Sequence, residues 1–213
     1  MDNLIYILFV SIFVPILLMA CLVEKKSRQP IIFVLIGIFL SVFASEVNAY
    51  LRNILPMSSF EITTIVTPIS EEILKALPIL FFAIVITTKK EAVFTASMAV
   101  GIGFAVLENA FYMLTSDSFD MFDAIIRAFG AGLMHGMCTL LVGVGILFVK
   151  TKRKLFVVGT FAMLSTAITY HGIYNMLVQS DFGIIGYLLP ITTYIPFVVW
   201  RIKKKKPTKG SKS

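Results

Sequence analysis

Residues 66–88 read VTPISEEILKALPILFFAIVITT. The run is long and apolar enough to cross about 30 Å of hydrocarbon, yet its first half carries Glu71, Glu72 and Lys75. A charged side chain at mid-membrane costs ~2.5–3.5 kcal/mol on insertion scales, so a span that keeps three of them has a use for them. On a helix, Lys75 lies four residues from Glu71 and three from Glu72, within reach of either carboxylate. The adjacent glutamates point about 100° apart, so they face different neighbours. Pro68 suits the first position of this helix, which would set both glutamates in its first two turns, where the helix dipole favours carboxylates. Pro78 removes a backbone bond to Leu74 farther along.

The rest of the chain has the same character. Of 213 residues, 58% are hydrophobic and only 15% charged, and the mean hydropathy is +0.91. A soluble domain carries about a quarter charged residues, so the composition excludes an ordinary soluble enzyme and a disordered chain. The two cysteines, Cys21 and Cys138, fit neither a disulfide framework nor a zinc knuckle. Six further apolar runs stand at 4–23, 31–51, 92–115, 124–149, 155–179 and 183–200. The expected fold is an all-α polytopic membrane protein with about seven transmembrane helices, forming a single membrane-embedded domain over 1–213 with a basic tail at 201–213. The longest connection, 52–65, leaves no room for a soluble domain, so any active site must be built from the helices.

Charge sets the orientation. Lys25, Lys26 and Arg28 follow the first run, Lys89 and Lys90 the third, and Lys150, Lys152, Arg153 and Lys154 the fifth. Arg201, Lys203, Lys204, Lys205, Lys206, Lys209 and Lys212 follow the seventh, so every basic residue except Arg52, Lys75 and Arg127 falls on one side. The opposite loops hold Asp2, Glu61, Asp117, Asp120, Asp123 and Asp181. The positive-inside rule then places the N-terminus outside and the C-terminus in the cytoplasm. The net charge of +7 is thus an orientation signal and implies a lipid bilayer partner rather than nucleic acid. Leu18-Met19-Ala20-Cys21 resembles a lipoprotein cleavage box, but Met1-Asp2-Asn3 is acidic where a signal peptide needs positive charge, so the first run is read as a retained span.

Ionisable residues recur inside the spans: Glu108 in the fourth, His135 in the fifth and His171 in the sixth, with Glu46 and Arg127 nearer span ends. Glu72, Glu108, His135 and His171 each stand 15–18 residues from the cytoplasmic charges, or ~22–27 Å at helical rise, so four helices place them in one layer of the outer leaflet. Phe104, Glu108 and Tyr112 share a helical stripe, as do Arg127, Ala131, His135 and Thr139, and His171 with Asn175. Ser97, Gly101 and Ala105 form one small-residue ridge for close helix approach, and Ala128, Gly132 and Gly136 another. Such a layer can activate water with a glutamate base, ligate a divalent metal, relay protons in a transporter, or lock helices together as a buried network. No HExxH or G-x-S-x-G pattern is present, and Gly101-x-Gly103 lies inside a span, outside the strand–helix setting of a nucleotide loop.

At these residues the sequence resembles the PrsW family of bacterial intramembrane proteases. Glu71-Glu72-Ile73-Leu74-Lys75 is similar to its EExxK motif, and Gly103 to Asn109 followed by Phe111-Tyr112 to its second motif. Arg127 with His135 resembles the third, and His171-Gly172-Ile173-Tyr174-Asn175 the fourth. The resemblance covers about 65–180, the expected catalytic core. It is weaker to the related type II CAAX prenyl endopeptidases, since Lys75 replaces an arginine one position later and Glu108 replaces a histidine. The resemblance implies an endopeptidase of the bacterial cytoplasmic membrane that cuts a single-pass membrane protein, such as an anti-sigma factor, on its extracytoplasmic side. It implies Glu71 or Glu72 as base, His135 and His171 as partners, Glu108 as ligand or orienter and Asn175 at the oxyanion, with Lys75, Asn109 and Arg127 in support. Zinc held by Glu108, His135 and His171 and a metal-free glutamate mechanism are both open at this point. The alternatives are a CAAX-type or bacteriocin-processing protease and a non-enzymatic scaffold or proton-coupled transporter.

Overall fold

The computed structural model describes residues 4–116, 121–150 and 152–205, and the regular structure among them is entirely helical. Asp2, Asp117 and Asp120 of the acidic loops, and Lys206, Lys209 and Lys212 of the tail, lie outside the described residues. The helices are α1 (Leu4–Leu22), α2 (Lys25–Ile54), a single turn α3 (Ser59–Glu61), α4 (Thr67–Val85), α5 (Lys90–Thr115), α6 (Met121–Ile146), α7 (Arg153–Val178) and α8 (Gly183–Lys205). Among the described residues five are long and apolar enough to cross a membrane: α1, most of α2, α5, α6 and α7. The other two expected spans fall short for local reasons. The apolar stretch of α8 runs only over Gly183–Pro196, and α4 carries Glu71, Glu72 and Lys75 within 19 residues. Helix α4 can hold them because α2, α5, α6 and α7 pack around it.

The bundle is built inside-out relative to a soluble protein. Large apolar side chains such as Phe81, Phe129, Val158 and Phe161 are exposed, while Glu72, Lys75, His135 and His171 are buried. That is the arrangement lipid selects, since the exterior gains nothing from polarity and the polar groups need one another. Helix α5 is central, flanked by α2 and α6, and α6 in turn packs on α7. The closeness of α5 and α6 requires glycine at 101: a Cβ there would sit 2.3 Å from the His135 carbonyl oxygen and 2.7 Å from Gly136 Cα. One turn away, the place a Gly143 Cβ would take lies 2.2 Å from Ser97 Oγ. The ridge expected at Ala128, Gly132 and Gly136 is only partly used, since Gly132 faces open space.

The segment 52–65 is mostly helical rather than a loop. Helix α2 runs on to Ile54, and α3 begins at Ser59 behind a capping box in which Ser58 and Glu61 satisfy each other's backbone N–H groups. The Ser58 backbone N–H and hydroxyl hold the Glu61 carboxyl below its usual range. A π-helical turn, Ile62–Val66, joins α3 to α4 without a break. Pro68 stands second in α4 as its fixed φ suits, but the π turn carries the rod on before it. The helical rod starts a dozen residues before Glu71, so its N-terminal dipole is too distant to explain the glutamates. Pro68 has another effect: lacking an N–H, it bonds to no carbonyl of the preceding turn. The Thr63 carbonyl there accepts Asn175 Nδ2 of α7 at 3.0 Å. Gly172 allows this approach, because a Cβ at 172 would lie 2.7 Å from the Thr64 carbonyl oxygen.

Candidate active site

Four helices bring the layer together. Lys75 is the hub. Its Nζ lies 2.7 Å from Glu72 Oε1, 2.8 Å from His135 Nδ1 and 3.8 Å from Glu71 Oε2, and 4.4 Å above the centre of the Phe104 ring. An ammonium can only donate, so His135 Nδ1 accepts and its proton sits on Nε2, which donates to Glu108 Oε2 at 2.5 Å. His171 takes the opposite tautomer. Its Nδ1–H donates to Glu72 Oε1 at 2.8 Å, which leaves the Nε2 lone pair 3.9 Å from Glu71 Oε2. The two imidazoles stand edge to face with centres 5.0 Å apart.

The adjacent glutamates divide as their 100° offset predicts. Glu72 is fully buried, and its Oε1 is shared between Lys75 and His171. Glu71 lines a cavity of about 250 Å³ together with Asn48, Arg52, Thr63, Phe104, Glu108 and Asn175. Its Oε1 accepts from Asn48 Nδ2 at 3.3 Å, while Oε2 is buried with no hydrogen-bond partner. Ser70 Oγ donates to Asn48 Oδ1 at 2.5 Å, which fixes the amide so that its NH2 faces Glu71. Asn48 and Ser70 were not among the expected site residues. Asn48 is one uncharged polar residue two positions from the ionisable Glu46, and the ionisable group drew the sequence reading instead. Glu46 is elsewhere, accepting from Tyr6 of α1 at 2.6 Å.

The other expected residues divide clearly. Arg127 stacks 3.9 Å over the Tyr112 ring with Nη2 3.8 Å from Glu108 Oε1. Asn175 lines the cavity beside Glu108. Asn109 is buried, leaves its Oδ1 without a partner, and lines neither this cavity nor the smaller one beside it. Cys138 Sγ lies 3.5 Å from the Ala167 carbonyl oxygen and serves helix packing.

The residues fit a divalent metal, with one change of carboxylate. The donor atoms that gather within 4.8 Å of one another belong to Glu71, His135 and His171, rather than to Glu108 with the two histidines. Two histidines and a glutamate match zinc chemistry, and the Glu72 carboxylate on His171 Nδ1 is the kind of outer partner that orients a ligating imidazole. The unpartnered Glu71 Oε2 is the observation that favours such an occupant. His135 has both ring nitrogens engaged, so it joins a metal only by giving up one of these hydrogen bonds.

A multi-pass helical bundle with a buried carboxylate–imidazole centre beside a polar cavity has the parts a membrane-embedded hydrolase needs. Residues 26–201 match the family model described as PrsW family intramembrane metalloprotease, and the chain belongs to that family. It is an intramembrane protease. No curated protein and no solved structure matches the chain.

Proposed function

We propose that the protein is an endopeptidase that cuts a single-pass membrane protein near the extracytoplasmic face of the bacterial cytoplasmic membrane, as in release of an anti-sigma factor. The N-terminus is then outside, as the basic residues after the first, third, fifth and seventh apolar runs require, and the reacting layer lies in the outer leaflet. Glu71 is the base. One observation carries this assignment: Glu71 lines the cavity, with Asn48 on one of its oxygens, whereas Glu72, whose Oε2 is likewise unpartnered, lines neither cavity.

Glu71 Oε2 and His171 Nε2 are two acceptors 3.9 Å apart, too far for a direct bond and suited to bracket one water through its two O–H groups. The water oxygen attacks the scissile carbonyl carbon, its proton passes to Glu71, and Glu71 later delivers that proton to the departing amine. Asn175 uses one amide N–H on Thr63 and has a second to offer the oxyanion. Glu72 and Lys75 fix the tautomers of His171 and His135, and Glu108 and Arg127 support His135 from the other side. Were a zinc ion bound, Glu71, His135 and His171 would hold it and it would supply Lewis acidity, with Glu71 then serving as a ligand in place of its role as base.

The test is cleavage of a single-pass substrate by the purified protein in proteoliposomes, with metal content and chelator response measured on the same preparation. Cleavage abolished by chelator and restored by zinc assigns the metal; cleavage indifferent to chelator in metal-free protein assigns Glu71 and His171 alone. A protein that folds, binds the substrate and never cuts it contradicts the reading.

A further inference from the structure

Beside the main cavity lies a smaller chamber of about 160 Å³, sharing Glu108, Tyr112 and Asn175 with it and adding Arg127, Tyr174 and Gln179. Two of its lining residues carry buried polar atoms without partners. Arg127 Nε and Tyr174 Oη are both buried with no hydrogen bond, on residues only 7% and 2% exposed. Arg127 Nη2 stands 3.8 Å from Glu108 Oε1, beyond hydrogen-bond reach. Packing does not call for the tyrosine hydroxyl, since a phenylalanine ring would meet Tyr187 equally well. Leaving such a buried donor unpaired costs ~1–3 kcal/mol, so both atoms make sense if an acceptor arrives from outside.

The surrounding charge selects the acceptor. Glu108 lines the same wall with Arg127 Nη2 already 3.8 Å from it, so the nearby cation is matched and a further carboxylate would be repelled by Glu108. A neutral carbonyl would not. The chamber also presents acceptors, the Glu108 carboxylate and the Asn175 and Gln179 amide oxygens, which suit an N–H. A group offering both a C=O and an N–H is an amide. We propose that the smaller chamber is a subsite for a backbone peptide group of the substrate next to the scissile bond, its carbonyl accepting from Tyr174 Oη and Arg127 Nε. The inference rests on the protease reading: the substrate strand passes Glu108 with the main cavity on one side and this chamber on the other.

Two measurements separate the subsite from that reading. The first is binding of a single-pass substrate peptide to full-length Glu71→Gln protein in lipid vesicles, with and without Tyr174→Phe. The second is steady-state cleavage by the protein with and without Tyr174→Phe, using substrates with Ala, Asn or Asp flanking the cut. Tyr174→Phe is expected to weaken binding about tenfold and to raise KM more than it lowers kcat, equally for Ala and Asn substrates. The melting temperature should be unchanged or higher, because an unpaired hydroxyl has been removed. Arg127→Lys, which keeps the charge and loses Nε, should shift binding in the same direction. Unchanged binding in both variants overturns the subsite even if cleavage proceeds, and absence of cleavage with the binding shift intact overturns only the protease reading. An effect confined to the Asn substrate overturns the backbone assignment, and an Asp preference that Tyr174→Phe abolishes overturns the choice of a neutral group.

Discussion

The α5–α6 seam has two ends made to different specifications. Toward Val93 and Ile146 it is dry: Val93, Ala96, Val100, Val142 and Ile146 are buried together, and Ser97 presses against Gly143. Toward Glu108 and Arg127 the same two helices carry polar side chains, and α5 borders both cavities while α6 borders the smaller one. One end sets the helix spacing by contact, and the other uses that spacing to hold charges apart at useful distances. The point of change is Gly101, whose missing side chain lets α5 touch the backbone at His135 and so sets where that imidazole stands. Packing at the dry end thus becomes geometry at the wet one.

Substitutions at the two ends should have effects that differ in kind. Lys75→Met should be the largest. It leaves the buried Glu72 carboxylate with only the His171 N–H, and removal of one member of a buried ion pair costs about 3–5 kcal/mol, so the variant is expected to lose folded protein before activity can be assayed. Thermal unfolding in detergent checks this, and a Lys75→Met protein as stable as the parent would mean that the His171 N–H alone satisfies Glu72. Gly143→Leu at the dry end comes next. It drives a side chain into Ser97 and should cost roughly 1–3 kcal/mol, with activity falling only as the folded fraction falls. Asn48→Ala at the wet end should leave stability nearly intact. It frees the Glu71 carboxylate to turn and should lower kcat about tenfold with little change in KM, a split that steady-state kinetics reads directly.

Most of this fold was legible in the sequence because a membrane leaves few choices. Apolar runs had to be helices, and ionisable groups inside them had to meet, which is why Glu71, Glu72, Lys75, Glu108, His135, His171, Arg127 and Asn175 do converge. The unread parts were those where the bilayer sets no penalty large enough to mark a residue. Asn48, Ser70 and Thr63 are neutral and pass unnoticed in a span, yet they orient Glu71 and Asn175. Spacing showed that Glu71 and Glu72 differ, but which one faces the cavity depends on how α4 is turned against its neighbours. Helix continuity from Ser59 through a π turn was hidden behind Pro68, which reads locally as a start signal. Asn109 drew notice by its place in a motif and takes no part in the cluster's hydrogen bonds through its oxygen.

In the proposed mechanism the two neighbouring glutamates do unequal work, Glu71 on the reacting water and Glu72 on the frame. The direct measurement is the initial rate of single-pass substrate cleavage in proteoliposomes by the parent, Glu71→Gln and Glu72→Gln, with melting temperatures taken on the same samples. Glu71→Gln should lower the rate by roughly 10²–10⁴ at an unchanged melting temperature, whereas Glu72→Gln should lower the melting temperature together with the rate. Parent-like cleavage by Glu71→Gln, alongside a stable but inactive Glu72→Gln, would contradict the account.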